Sequence, residues 1–205
     1  MSIFGKKYFY EDKFGIAFLQ SVYVDNAFLK NYIQKDAVII DVGANIGQFN
    51  IFCKHFLGAK KVYSFEPIAN TFNILKLNSP ENIYHGAVSD EQSIEMYMPR
   101  ATSLMTSSIQ ANDDDIKETA DGIKLSSIES IKSESKIDLL KIDTEGSELD
   151  VLRSSIEIAK KSKYILVETS MARDSSGDIL ELILFLKQAM PHLKLAWFGR
   201  PYISR

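Results

Sequence analysis

The stretch Val38-Ile39-Ile40-Asp41-Val42-Gly43-Ala44-Asn45-Ile46-Gly47 restricts the fold of this chain more than any other part of it. Consecutive β-branched apolar residues predict a strand covered on both faces, as in a parallel sheet flanked by helices. Gly43 permits a sharp turn and a close approach of a ligand to the backbone, and Asn45 is among the residues that best tolerate a left-handed conformation after glycine. Beyond Gly47, Phe49, Ile51, Phe52, Phe56 and Leu57 recur at helical spacing, so the turn feeds a helix whose N-terminus faces the loop. Strand, glycine turn and helix start together describe a polar-ligand site at the rim of an α/β sheet.

The class of ligand follows from what comes next. Lys61-Val62-Tyr63-Ser64-Phe65-Glu66 reads as a second strand ending in an acid, 25 residues after Asp41, where a ribose hydroxyl pair is held in dinucleotide-type sites. The turn, however, is G-x-N-x-G and not the G-x-G-x-x-G that admits a pyrophosphate. A ligand with ribose and adenine but no diphosphate fits better, and S-adenosylmethionine has that chemistry. A nicotinamide-dependent oxidoreductase is the alternative, weakened by the missing glycine spacing and by the lack of an evident tyrosine and lysine proton relay. A catalytically inactive cofactor-binding module of the same fold is the other.

Composition narrows the partners. With 205 residues, 45% hydrophobic and 25% charged, the chain suits one globular domain with a full core. A formal charge of −3 argues against a nucleic-acid groove, which relies on clustered Lys and Arg. No apolar run approaches the ~20 residues that span a bilayer, and no basic-then-apolar leader is evident, so a cytoplasmic setting without a membrane partner is the expectation. The lone Cys53 reads as a small core residue, and three dispersed histidines, His55, His85 and His192, do not make a metal site by spacing.

Along the rest of the chain, residues 7–19 alternate around Asp12-Lys13-Phe14-Gly15 and predict a hairpin, followed by a helix carrying Phe28, Leu29, Tyr32 and Ile33. This N-terminal part is expected to cap the sheet or to cover the pocket. Pro67 suits the first turn of a helix whose apolar side is Phe72, Leu75 and Leu77. Residues 83–88 form a third strand, and residues 93–99 alternate as an edge strand. Residues 100–122 are one long polar loop whose early half is expected to help form an acceptor pocket. In Ile137–Glu148, Lys141 and Asp143 interrupt an otherwise apolar strand; alternation puts them on one face, where they can pair. Glu145 and Glu148 open the next helix, as caps or as site residues. Residues 164–168 are a fifth strand ending in Glu168, so Asp41, Glu66, Asp143 and Glu168 all point to one rim of the sheet. A last helix over 179–190 is expected to bury Leu180, Ile183, Leu184 and Leu186, ahead of a closing hairpin from Leu193.

The ordered set IDVGANIGQFNIF, VYSFEPIANTFNILKLN, GAVSDEQSIEMYMP, KIDLLKIDTEGSELDVLRSS and YILVETS, over roughly residues 36–170, resembles the FkbM-type methyltransferase family. Ser127-Ile128-Glu129 departs from it, since the family more often has Leu-Asp there. The resemblance implies a class I, Rossmann-like α/β fold with a mostly parallel central sheet and helices on both faces. It implies one domain over 1–205, with residues 1–35 as an N-terminal cap and 36–205 as the core. S-adenosylmethionine is the implied cofactor and a hydroxyl of a small molecule or glycan the implied acceptor. On this likeness Asp41 steadies the loop, Gly43, Ala44, Asn45 and Gly47 line the methionine portion, Glu66 and Pro67 serve the ribose side, and Ala87 and Val88 meet the adenine. Asp143 contacts the methionine ammonium or the acceptor. Asp143, Glu145 and Glu168 are the candidates for a base, or for holding a divalent cation that would lower the pKa of the hydroxyl.

Overall fold

The computed structural model describes residues 2–3, 6–10, 13–99, 113–169 and 179–196. The predicted central strand is β3, Val38–Val42, buried at every position. Beside it lie β4, Lys61–Glu66, and β9, Ile137–Ile142, with β5, Ile83–His85, and β10, Ser162–Val167, on the flanks. These five strands form one sheet in the order β10-β9-β3-β4-β5, and every pairing is parallel. Such a sheet needs cover on both faces, which explains its apolar runs. On one face Val38, Ile40 and Val42 pack with Leu140 and Ile142 against α5, Glu148–Ser154, α6, Ile156–Lys161, and α7, Ile179–Ala189. On the other, Ile39, Val62 and Leu139 meet Phe49 and Phe52 of α2, Gln48–Phe52, and Cys53 of the π-helical turn Cys53–Leu57 that continues it. The α/β reading with a parallel sheet between helical layers thus stands.

A second, three-stranded sheet leans on the end of the first. It contains β6, Ala87–Val88, β7, Ser93–Met98, and β8, Ile116–Ile123, in the order β6-β8-β7. Ile94, Met96 and Met98 alternate toward Ile68 and Ala120, which is why β7 was visible as an edge strand.

Several expectations fail, each for a physical reason. The hairpin predicted over 7–19 is not there: Lys13–Asp25 is helix α1, and the only pairing among the described N-terminal residues joins β1, Ser2–Ile3, to β2, Lys6–Lys7. Leu19, Val22 and Tyr23, spaced as one helix face, pack on the core. The third strand breaks at Gly86, where a Cβ would lie 2.7 Å from the Asp121 carbonyl oxygen, so β5 and β6 belong to different sheets. Residues 116–122 belong to strand β8 and not to the polar loop; among them only Ala120 is buried, which leaves the composition of a loop. Residues 100–112, the early half of that loop, lie outside the described residues.

Helix α3, Ala69–Asn78, begins after Pro67 and buries Thr71 and Leu75, leaving Leu77 exposed. In α7 the buried face is Leu182 with Phe185 and Leu186, joined by Met190 just past the helix end, whereas Leu180, Ile183 and Leu184 face outward. An all-round apolar helix does not show its inner face by periodicity. Leu182→Ala is therefore expected to cost about 2–5 kcal/mol and Leu184→Ala less than about 0.5 kcal/mol, read as shifts of the urea midpoint. The residues 193–196 that precede the expected closing hairpin form no strand, and 197–205 lie outside the described residues. Among the described residues no helix is long and apolar enough to cross a membrane.

Candidate active site

The chain leaves β3 for β4 and β5 on one side and returns through β9 on the other, so the carboxyl ends of β3 and β9 form a topological switch point. There the Gly43 and Ala44 N–H groups both donate to the Phe65 carbonyl, at 3.1 and 2.9 Å. Gly43 has φ +80°, and a Cβ on it would stand 1.8 Å from the Asp143 carbonyl oxygen. What this glycine makes room for is thus the backbone of the neighbouring strand. Asn45 takes the expected left-handed conformation, φ +55°, and Gly47 caps α2 with φ +94°. Asn78 Nδ2 donates to the Ile46 carbonyl at 2.7 Å and closes the loop from α3.

Glu66, expected on the ribose side, is held by the backbone of two loops. One carboxylate oxygen accepts from the Asn45 N–H and the other from the Ile68 N–H, each at 2.9 Å, and the side chain is turned into the protein. A strand-end acid here ties two loops together because their first N–H groups would otherwise be buried without acceptors. Burial, only partly offset by those N–H groups, pushes the Glu66 carboxyl up to about 7. A raised carboxyl pKa favours folding below its unfolded value, and that share is lost as pH rises through about 7. Stability between pH 5 and 8 is accordingly expected to fall less steeply in Glu66→Gln than in the wild type, measured by urea unfolding at each pH.

The pairing read from alternation is present: Lys141 Nζ donates to Asp143 Oδ2 at 2.9 Å. A second partner was not visible in the sequence. The β3–β9 register sets Asp41 opposite Lys141, and Nζ lies 3.5 Å from Asp41 Oδ1. Asp41 is fully buried and Lys141 is 4% exposed. Burial works against the ammonium, but Asp143, Asp41 and Glu168 outweigh it and hold its pKa above the ordinary range. For Asp41 burial dominates, and its pKa is raised despite the lysine.

The turn after β9 is held from within. Glu148, buried at the start of α5, accepts from the N–H groups of Gly146 at 2.9 Å and Thr144 at 3.3 Å, and so clamps the loop. Glu145 is exposed with φ +54°, a left-handed conformation that is uncommon for glutamate and worth about 1–3 kcal/mol of strain. Glu168 follows β10, is accessible to solvent and donates its N–H to the Ile142 carbonyl at 2.9 Å. The neighbouring Asp143 charge is the main cause that lifts the Glu168 carboxyl to about 7.

Between these loops opens a cavity of about 370 Å³. Of the residues singled out in the sequence, Gly43, Pro67, Ala87, Val88 and Asp143 line it. Asp41, Ala44, Asn45, Gly47, Glu66, Glu145 and Glu168 do not: the first five shape the loop behind the wall, and the last two stand outside the lining. Phe65, Ile94, Met96, Glu91 and Asp150 line it too and were missed. Alternation marked Ile94 and Met96 as one face of a strand, but nothing local says that this face closes a pocket. Among the described residues that line it there is no lysine or arginine. Among the described residues no three His, Cys, Asp or Glu side chains are grouped so as to hold a metal ion.

Comparison with known proteins agrees with this fold. A family model described as the methyltransferase FkbM domain matches residues 41–190. The antimetabolite synthetase AmbE of Pseudomonas aeruginosa is 26% identical over 202 aligned residues, covering 77% of this chain and 10% of AmbE. The crystal structure of a methyltransferase FkbM from Methylobacillus flagellatus superposes with a TM-score of 0.51 at 16% identity, over 89% of this chain and 50% of that one, a likeness of fold. The chain therefore spans a tenth of the one relative and half of the other. With the family model covering well over half of its length, the chain belongs to the FkbM methyltransferase family.

Proposed function

We propose that the protein is an S-adenosylmethionine-dependent methyltransferase that methylates a hydroxyl of a small molecule or sugar. The observation that carries the reading is the cavity at the switch point, lined by apolar residues and carboxylates, with no lysine or arginine among the described residues that line it. Its volume of about 370 Å³ lies within the roughly 300–1,000 Å³ of small-ligand pockets. Phe65, Pro67, Ala87 and Val88 offer the low-polarity surface that a flat base needs, and Asp143, Glu91 and Asp150 suit a ligand carrying positive charge. The donor set thus fits the cofactor. A dinucleotide, with its two phosphates, would find no cation among those lining residues.

When bound, S-adenosylmethionine supplies a methyl group on a sulfonium, which is already activated for displacement. The protein's task is then alignment, and well-oriented pairs reach effective molarities of about 10⁵–10⁸ M. Gly43 and the loop behind it keep the backbone low at the end of β3, Pro67, Ala87 and Val88 hold the base, and Asp143 receives the cationic end. Glu66 serves by clamping Asn45 and Ile68. The acceptor hydroxyl must lose a proton, and Glu168, with a carboxyl near neutrality, matches a general base working at physiological pH. Glu145, exposed in the turn after β9, is the second candidate. The likeness to an antimetabolite synthetase supports a small-molecule acceptor, and the formal charge of −3 supports an acceptor that is not a nucleic acid.

The test is incubation with methyl-labelled S-adenosylmethionine and a panel of hydroxylated small molecules and sugars. Label on an acceptor oxygen, matched by S-adenosylhomocysteine, is expected. Label on nitrogen or carbon would overturn the hydroxyl assignment, and tight binding without transfer to any acceptor class would favour an inactive module.

A further inference from the structure

Lys141 does not line the cavity, and the proposed chemistry does not use it, yet it is buried near the carboxyl end of β9, beside the central strand β3. We propose that Lys141 is the positioning residue of this site: bridging buried Asp41 and cavity-edge Asp143, it fixes the Asp143 carboxylate in place for the cationic end of the ligand. The inference rests on the reading of the cavity as an S-adenosylmethionine site.

The geometry makes Lys141 a rigid support. Its backbone is locked between β3 and β10, opposite Asp41 on one side and Leu166 on the other. Its ammonium lies 5.1 Å from the Phe49 ring centroid, on the α2 face of the sheet. From there it reaches Asp41 Oδ1 at 3.5 Å and Asp143 Oδ2 at 2.9 Å. Asp41 is fully buried and neither of its oxygens has a hydrogen-bond partner, so the ammonium is the charge that compensates it. The Asp143 side chain, 27% exposed, is the end of this chain of charges that meets the cavity.

Stability alone does not explain such an arrangement. A buried ion pair is often no more stabilising than apolar residues of similar volume, and β3 and β9 are otherwise apolar apart from Asp138 at the far end. What an apolar pair would not do is hold Asp143. Its surroundings are negative: Glu168 from β10, Glu145 from the same turn, and Glu91 and Asp150 around the cavity. Among the described residues Lys141 is the cation that bonds Asp143. Without it Asp143 would be free to swing toward solvent, and the ligand would lose a charge-assisted hydrogen bond.

The test uses S-adenosylhomocysteine as the probe, titrated calorimetrically into the whole chain. Four proteins are compared: wild type, Asp143→Asn, the pair Asp41→Asn with Lys141→Met, and the triple variant. The pair removes the two facing charges together and so avoids an orphaned acid. Asp143→Asn and the pair are each expected to weaken binding about tenfold or more, the value of one hydrogen bond to a charged group. The triple variant is expected to bind no more weakly than Asp143→Asn, because Lys141 acts through Asp143. Thermal midpoints are read in parallel: a merely structural lysine would move the midpoint and leave affinity alone.

A pair variant with wild-type affinity beside a weakened Asp143→Asn would overturn the inference and leave the cofactor site standing. So would losses that multiply in the triple variant. Asp143→Asn binding like wild type, or a wild type that does not bind the probe, would overturn the reading of the site and this inference with it. Should the pair fail to fold, Lys141→Gln decides, since it keeps a donor between the acids but removes the charge; the same tenfold loss is expected, and unchanged affinity would overturn the proposal.

Discussion

Lys141→Met alone is expected to destabilise the protein by about 3–5 kcal/mol, the usual consequence of leaving a buried charge without its partner. In a chain of 205 residues that corresponds to a fall of roughly 6–20 °C in Tm. The orphan is Asp41, fully buried, which with the ammonium gone has no polar partner and must take up a proton to remain inside. Burial already raises its pKa, and losing the lysine raises it further. The sign of the pH dependence follows: the variant recovers stability as pH falls through the raised Asp41 pKa and is weakest well above it. Urea unfolding at pH 5 and pH 8 measures this, and adding Asp41→Asn is expected to restore most of the loss. A single Lys141→Met variant as stable as wild type at pH 8 would show that the two charges are not coupled.

Gly43→Ala is the second substitution with a large effect. The new Cβ would stand 1.8 Å from the Asp143 carbonyl oxygen, a distance no side-chain rotation can relieve because the obstacle is backbone. The φ of +80° adds strain for any residue with a Cβ. Strain and overpacking together are expected to cost about 2–5 kcal/mol and to push the β3 loop away from β9, so that ligand binding disappears even in the molecules that stay folded. Gly58 supplies the control. Its φ is +72°, but a Cβ there would meet only the Lys35 side chain at 3.5 Å. Gly58→Ala is therefore expected to cost only about 1 kcal/mol and to leave binding intact. Thermal midpoints and S-adenosylhomocysteine affinities of the two variants, side by side, check the contrast.

The elements that could be read in advance are those whose signal is local. Val38–Val42 and Ile137–Ile142 are apolar because both faces are covered, and Asn45 marked its own left-handed turn. The Lys141–Asp143 pair followed from alternation alone. Elements that depend on a partner distant in sequence could not be read this way. Asp41 meets Lys141 only because β3 pairs with β9 across about a hundred residues of chain. Strand β8 is polar because it leans on β7 with most of its side chains in water, and no period distinguishes it from a loop. Glu66 shows the limit most plainly: an acid at a strand end reads as a ligand group, while the N–H groups of Asn45 and Ile68 that take up its oxygens come from two separate loops. Gly43 was read as room for a ligand, and the backbone of Asp143 fills that room.

The central claim, that the cavity between β3 and β9 takes an adenosyl-sulfur ligand, is tested most directly by thermal shift with S-adenosylmethionine, S-adenosylhomocysteine and NAD run side by side. At a hundred times Kd a ligand adds about 2.7 kcal/mol, which in a domain of this size moves the midpoint by roughly 5–10 °C. The account predicts that shift for the two adenosyl-sulfur ligands and none for NAD. A shift with NAD alone, or none with any of the three, would contradict it.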